Sequence, residues 1–204
     1  MRNMEEQDEE VDQNKFWRLF ISQEKVQFTE NAPANLVTVY SLYIYNEIAD
    51  AIEYVELFDT FRRADTGDII NIYINSPGGN LDTLVSFCSV LDETEAIVYC
   101  YVDGAAYSAA FILACAGDKS IFSDFSFCMA HNLQGSIFGA DYANIGKSVL
   151  SSKIIYESML KRYCLKILTE QEIESIILHG SEVHLTGKEC QERMKNNVQI
   201  ESEG

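Results

Sequence analysis

The stretch Asp103-Gly104-Ala105-Ala106-Tyr107-Ser108-Ala109-Ala110 runs directly into the apolar segment Phe111-Ile112-Leu113-Ala114-Cys115-Ala116, which stops at Gly117. Upstream, Ala96-Ile97-Val98-Tyr99-Cys100-Tyr101-Val102 is rich in β-branched and aromatic residues and reads as a strand. Gly104 and its small neighbours read as a turn, and the segment after Ser108 predicts a helix too apolar to lie on a surface. Strand, turn and buried helix in that order are the repeating unit of an α/β fold. Ser108 stands at the helix start, where backbone N–H groups and the positive end of the helix dipole suit a nucleophile whose reaction develops an oxyanion. Ser is also a preferred N-cap, and this stretch alone favours the cap.

The same alternation extends outward in both directions. On the N-terminal side, Leu36 to Tyr45 predicts a strand and Glu47 to Arg63 an amphipathic helix. Asp65-Thr66-Gly67-Asp68 is a turn and Ile69 to Ile74 a second strand. That strand passes through Asn75-Ser76-Pro77-Gly78-Gly79-Asn80 into a helix from Leu81 to about Leu91. A Pro-Gly-Gly turn lets bare backbone approach a ligand, because glycine has no Cβ and tolerates positive φ. On the C-terminal side come a strand near Ile121-Phe122 and another from Phe125 to Ala130 that ends on His131. After Gly135 and Gly139, Asp141 to about Leu168 predicts one long helix. Thr169-Glu170-Gln171-Glu172 has the capping-box pattern and opens a helix to Leu178. His179 to Leu185 is a loop or short strand, and a last helix starts at Thr186.

Composition bounds what such a fold can serve. With 204 residues, 15 Lys+Arg and 32 Asp+Glu, the net charge is -17, which argues against nucleic acid or an anionic membrane as partner. The organisation expected is an acidic mobile tail over residues 1–14, where Glu5, Glu6, Asp8, Glu9, Glu10 and Asp12 repel one another, and a single domain over residues 15–204. Phe16-Trp17-Arg18-Leu19-Phe20-Ile21 is apolar enough to dock on the core or on a partner. The six cysteines form no CxxC pair, no secretory leader is expected ahead of them, and no apolar run reaches the length of a membrane span. They are expected to be reduced and buried, in a cytoplasmic protein.

Only three histidines are available as a general base. His131 ends a strand and is followed by the polar Asn132 and Gln134, where an imidazole can face a cleft. His179 and His184 flank a polar loop without the spacing of a helical metal pair, so no metal site is expected. A serine at a helix start, a Gly-Gly backbone turn and a strand-end histidine are together what acyl transfer to water requires.

Ile74-Asn75-Ser76-Pro77-Gly78-Gly79, Gly104-Ala105-Ala106-Tyr107-Ser108-Ala109-Ala110 and Met129-Ala130-His131-Asn132 resemble, in order, the motifs of the ClpP family, the proteolytic subunit of the ATP-dependent Clp protease. The Ser-to-His spacing is most similar to that of phage-type ClpP-like proteases, and the likeness covers roughly Leu36 to Met194. The resemblance implies an α/β fold of the ClpP/crotonase type, stacked βα units with a protruding long helix, and places assembly on the stretch from Asp141 to Leu168. It implies Ser108 as nucleophile, His131 as general base, Glu182 as the third triad member, and the N–H groups of Gly79 and Ala109 as the oxyanion hole. The activity implied is a cofactor-free serine endopeptidase that acts on unfolded polypeptides or peptides inside a homo-oligomeric ring, in the cytoplasm or in a phage host's cytoplasm. Whether an AAA+ ATPase unfoldase feeds it stays open.

The chain departs from the family pattern in three places. Tyr107 replaces the usual Ala beside the serine, Ser123-Asp124-Phe125 replaces a Pro-Asn turn, and Glu182 replaces Asp. The alternatives are a catalytically silent ring subunit and a crotonase-type acyl-CoA enzyme. A fluorophosphonate probe separates both from the protease, since only the protease requires a reactive Ser108.

Overall fold

The structure, a computed structural model, describes residues 17–26, 35–134 and 142–202. The acidic stretch 1–14, Phe16, the glycines at 135 and 139 and the expected helix start at Asp141 lie outside the described residues. Seven strands, β1 (Arg18–Val26), β2 (Asn35–Ile44), β3 (Ile69–Ser76), β4 (Ile97–Tyr107), β5 (Lys119–Phe122), β6 (Phe127–Ala130) and β7 (Val183–Thr186), form one sheet. Among the described residues six helices accompany them: α1 (Val55–Arg62), α2 (Leu81–Glu93), α3 (Ala109–Ala116), α4 (Tyr142–Met159), α5 (Glu170–His179) and α6 (Gly187–Ser202).

The sheet runs β1-β2-β3-β4-β6-β7, with β5 also paired to β4. Pairing is parallel from β2 through β3 and β4 to β6, and antiparallel where β1 meets β2 and where β7 meets β6. The α/β alternation expected from the sequence is therefore present. In β3, Ile70, Ile72 and Ile74 are fully buried. On its other face Tyr73 stacks between Tyr43 of β2 and Tyr101 of β4, with ring centroids 4.6 and 4.9 Å apart. The apolar run after Ser108 forms α3 with every residue from Ala109 to Cys115 buried, as its composition requires. All six cysteines are free and buried, and burial pushes the Cys88 and Cys100 thiols up to about 12, so they stay protonated at neutral pH. Trp17 packs into the core and its indole N–H donates to the Glu53 carbonyl at 2.8 Å, which fixes the start of β1.

Three element expectations change. Gly104 is no turn: β4 continues through it to Tyr107. It exchanges one parallel neighbour, β5 along Tyr99–Val102, for another, β6 along Ala105–Tyr107. The helix expected from Glu47 begins only at Val55, after a short 3-10 turn at Ala51–Tyr54, because Ile48 is used by a different partner. Its N–H donates to Gly78 O at 2.8 Å and its carbonyl accepts from Asn80 N at 2.9 Å, a bridge to the Pro-Gly-Gly turn that a helix would forbid. The long helix of the C-terminal half ends earlier than expected. α4 passes into a π turn at Leu160–Cys164, and the Ile167 and Leu168 N–H groups both return to Cys164 O.

Candidate active site

Two strand-to-helix junctions meet at one place. The first follows β3. Ser76 is buried and its Oγ accepts from Gly78 N at 3.1 Å, which closes a tight turn. Gly78 has φ +95, and a Cβ there would lie 2.5 Å from Tyr107 O and 2.8 Å from Ser108 Cβ. This turn therefore lies directly against the second junction, where β4 becomes α3. Only glycine allows so close an approach.

Ser108 occupies that second junction with φ 56 and ψ -124, the one non-glycine residue at positive φ among those described. Such backbone costs of order 1–3 kcal/mol and persists only where its surroundings enforce it. Here the Ser108 N–H donates to Met129 O of β6 at 2.8 Å while its carbonyl accepts from Phe111 N at 3.0 Å, so the residue belongs to the sheet on one side and the helix on the other. It holds the N-cap position, yet its side chain makes no capping hydrogen bond. The residue lines a cavity of about 550 Å³ that is also lined by Gly79, Ala109, His131 and Tyr156.

The backbone donors around this cavity are arranged by the same bonds. The bridge to Ile48 uses the carbonyl of Gly78 and the N–H of Asn80, so by strand alternation the intervening Gly79 N–H points the other way. Within the described residues neither Gly79 N–H nor Ala109 N–H, the first of α3, donates to a protein acceptor. An unengaged N–H from a turn beside the first N–H of a helix is the donor geometry that stabilises a developing oxyanion.

His131 follows the last residue of β6, and its backbone carbonyl accepts from Tyr156 Oη of α4 at 2.5 Å. Burial pushes the Tyr156 phenol up, with Cys164 a lesser cause, so it remains a proton donor. Ser108 and His131 share the cavity, but within the described residues no hydrogen bond joins their side chains. Glu182 stands apart from this group. β6 and β7 pair as far as Ala130 opposite Val183, which makes His131 and Glu182 the next residues along their strands, but Glu182 is absent from the cavity lining. Its carboxylate pairs with His184 Nε2 at 3.0 Å, with side chains 52% and 66% exposed.

The structure thus brings together Ser108, His131, Gly79 and Ala109, and leaves Glu182 on another partner. Tyr156 was not legible as part of the site, because an aromatic residue in a helix carries no signal of which backbone its hydroxyl will reach.

The sequence matches the family model described as Clp protease over residues 30–190. No curated protein sequence matches the chain. Among solved structures, the crystal structure of a peptidase from Plasmodium falciparum is similar, with a TM-score of 0.63 and 16% identity over 76% of this chain and 91% of that one. At that identity the likeness is one of fold.

Proposed function

The chain belongs to the Clp protease family, and from that premise we propose that it is a serine-type endopeptidase with Ser108 as nucleophile and His131 as general base. The observation that carries this reading is the Ser108 junction. A strained backbone holds a serine with an uncapped hydroxyl in the lining of a cleft that also contains His131 and two unengaged backbone donors. A residue serving only as a cap has no need of that strain.

In this mechanism Ser108 Oγ attacks the peptide carbonyl carbon as His131 takes the hydroxyl proton. The Gly79 and Ala109 N–H groups hold the resulting oxyanion. Collapse expels the amine, which takes the proton from His131, and water then cleaves the acyl-serine by the same route in reverse. Glu182 serves as the third residue by turning from His184 toward the His131 imidazole, its neighbour across the end of the β6–β7 pair. Peptides or unfolded polypeptides are the substrates, and the chain works as a ring-forming homo-oligomer in the cytoplasm, alone or with an ATPase unfoldase. Support for assembly lies in α4, where Val149, Leu150, Ile154 and Ile155 are 51%, 58%, 55% and 43% exposed. A cluster of that kind on one helix favours a protein neighbour over water. No helix among the described residues is long and apolar enough to cross a membrane.

The test is a fluorophosphonate probe with peptide mapping, run beside the Ser108→Ala variant. Labelling confined to Ser108, with peptide hydrolysis lost in the variant and its fold retained, is the expected result. An unlabelled protein, or undiminished hydrolysis by Ser108→Ala, overturns the proposal.

A further inference from the structure

The His131 carbonyl is held by a bond whose origin lies in the way Ser108 leaves the sheet. β6 pairs with β4 as far as Met129 opposite Tyr107, and the Ser108 N–H adds one more bond, to Met129 O. Carbonyls two residues apart on a strand point the same way, so His131 O faces the side on which a further donor of β4 would stand. No such donor exists, because the chain after Ser108 has turned into α3. The Tyr156 hydroxyl fills the vacant place at 2.5 Å, from a ring only 4% exposed. Asn132 is tied separately, its Nδ2 donating to Ile177 O of α5 at 3.5 Å and its Oδ1 accepting from Leu133 N at 2.8 Å.

Building on the serine-hydrolase reading above, we propose that Tyr156 is a positioning residue that fixes the main chain of His131, and so the aim of its imidazole at Ser108, from helix α4. Without this bond His131 lies between the last rung of a four-residue strand and the long Asn132–Ile177 contact, with its own carbonyl unheld. An imidazole swinging on a loose backbone spends less time within reach of the serine proton. General-base catalysis depends on that reach, and small misplacements are costly. The donor comes from the helix that carries the exposed Val149, Leu150, Ile154 and Ile155. Tyr156 is thus one link from the exposed face of α4 to the histidine. Burial keeps the phenol protonated through the neutral range, so the bond persists wherever the histidine acts as a base.

Tyr156→Phe removes the hydroxyl and keeps the ring that packs the core. The expected result is a fall in kcat of about five- to tenfold, the effect of one lost hydrogen bond or a little more, with KM unchanged and the rate of fluorophosphonate labelling of Ser108 reduced by the same factor. In a His131→Ala background, where no base remains to be aimed, Tyr156→Phe should change the residual labelling rate by less than twofold. Thermal denaturation of each variant confirms that the compared proteins are folded. Parental kcat in Tyr156→Phe, a loss that appears in KM instead, or an equal loss with and without His131 overturns the inference. A parent protein that does not label overturns the hydrolase reading and this inference with it, whereas a reactive parent with an unaffected Tyr156→Phe overturns this inference alone.

Discussion

Replacing Gly78 by alanine tests whether the two junctions depend on each other. At φ +95 an alanine is strained by about 1–2 kcal/mol before any contact is considered. The added Cβ then meets Tyr107 O at 2.5 Å, Ser108 Cβ at 2.8 Å and Ala109 N at 3.1 Å. Two of these atoms are backbone and none is the far end of a flexible side chain, so relief requires moving the turn or the Ser108 junction itself. Overpacking of this kind costs about 1–3 kcal/mol, and the two effects together come to about 2–5 kcal/mol. For a chain of this size that is a fall in Tm of about 4–20 °C. Gly180→Ala is the control. Gly180 also has positive φ, +66, but a Cβ there meets nothing within 4 Å, so only the backbone strain of about 1–2 kcal/mol applies. The assay is thermal denaturation of the parent and both variants, with fluorophosphonate labelling measured below the lowest transition. Gly78→Ala should be the less stable variant and should label Ser108 more slowly, because the clash falls on the atoms that hold the serine. If Gly78→Ala is no less stable than Gly180→Ala and labels at the parental rate, the close approach of the two junctions is not what holds the site.

Two further expectations concern acids. Glu182→Gln should lower kcat strongly, by up to about 10⁴ if Glu182 orients His131 as the acid does in well-studied triads, while His184→Phe, which frees the carboxylate, should raise kcat by no more than about fivefold because an exposed pair binds weakly; parental turnover by Glu182→Gln leaves a Ser108–His131 dyad. Glu172 is held below its ordinary 4.5: partial burial pushes its pKa up, but the Thr169 N–H, its hydroxyl and Arg193 together outweigh that. A depressed pKa stabilises the fold above the ordinary value and is lost as pH falls through the folded one, so acid titration monitored by circular dichroism should show Glu172→Gln losing less stability below pH 4.5 than the parent.

The features legible in the sequence were those that backbone chemistry decides locally. The capping box at Thr169 is formed as its spacing requires, with Glu172 Oε2 accepting from Thr169 N at 2.8 Å and Thr169 Oγ1 accepting from Glu172 N at 3.1 Å. The apolar run after Ser108 had to be buried on every side. Misread were the places where a distant segment outweighs local preference. Gly104 reads as a turn by composition, yet β4 stays in the sheet on both sides of it, paired with β5 up to Val102 and with β6 from Ala105, and the change of partner is taken up as a register shift against β3. Ile48 has the spacing of a helical residue, but the bridge it makes to Gly79 satisfies two backbone groups at a turn where glycine leaves them bare. Secondary-structure propensity spans about 1 kcal/mol per residue, and a pair of buried backbone hydrogen bonds is enough to overturn it.

The site divides along the same line. Ser108, His131, Gly79 and Ala109 line one cavity because each is set by main-chain geometry at the end of a strand or the start of a helix, and short motifs encode such geometry. Glu182 is different in kind. Strand register brings its backbone beside His131, but the direction of an exposed carboxylate is chosen among contacts that differ by little, and His184, two residues along the same strand, competes for it. A motif can therefore specify where that residue stands without specifying what it touches. The partner of Glu182 is open to change because both side chains are exposed, whereas the strained serine is locked by bonds to β6 and α3.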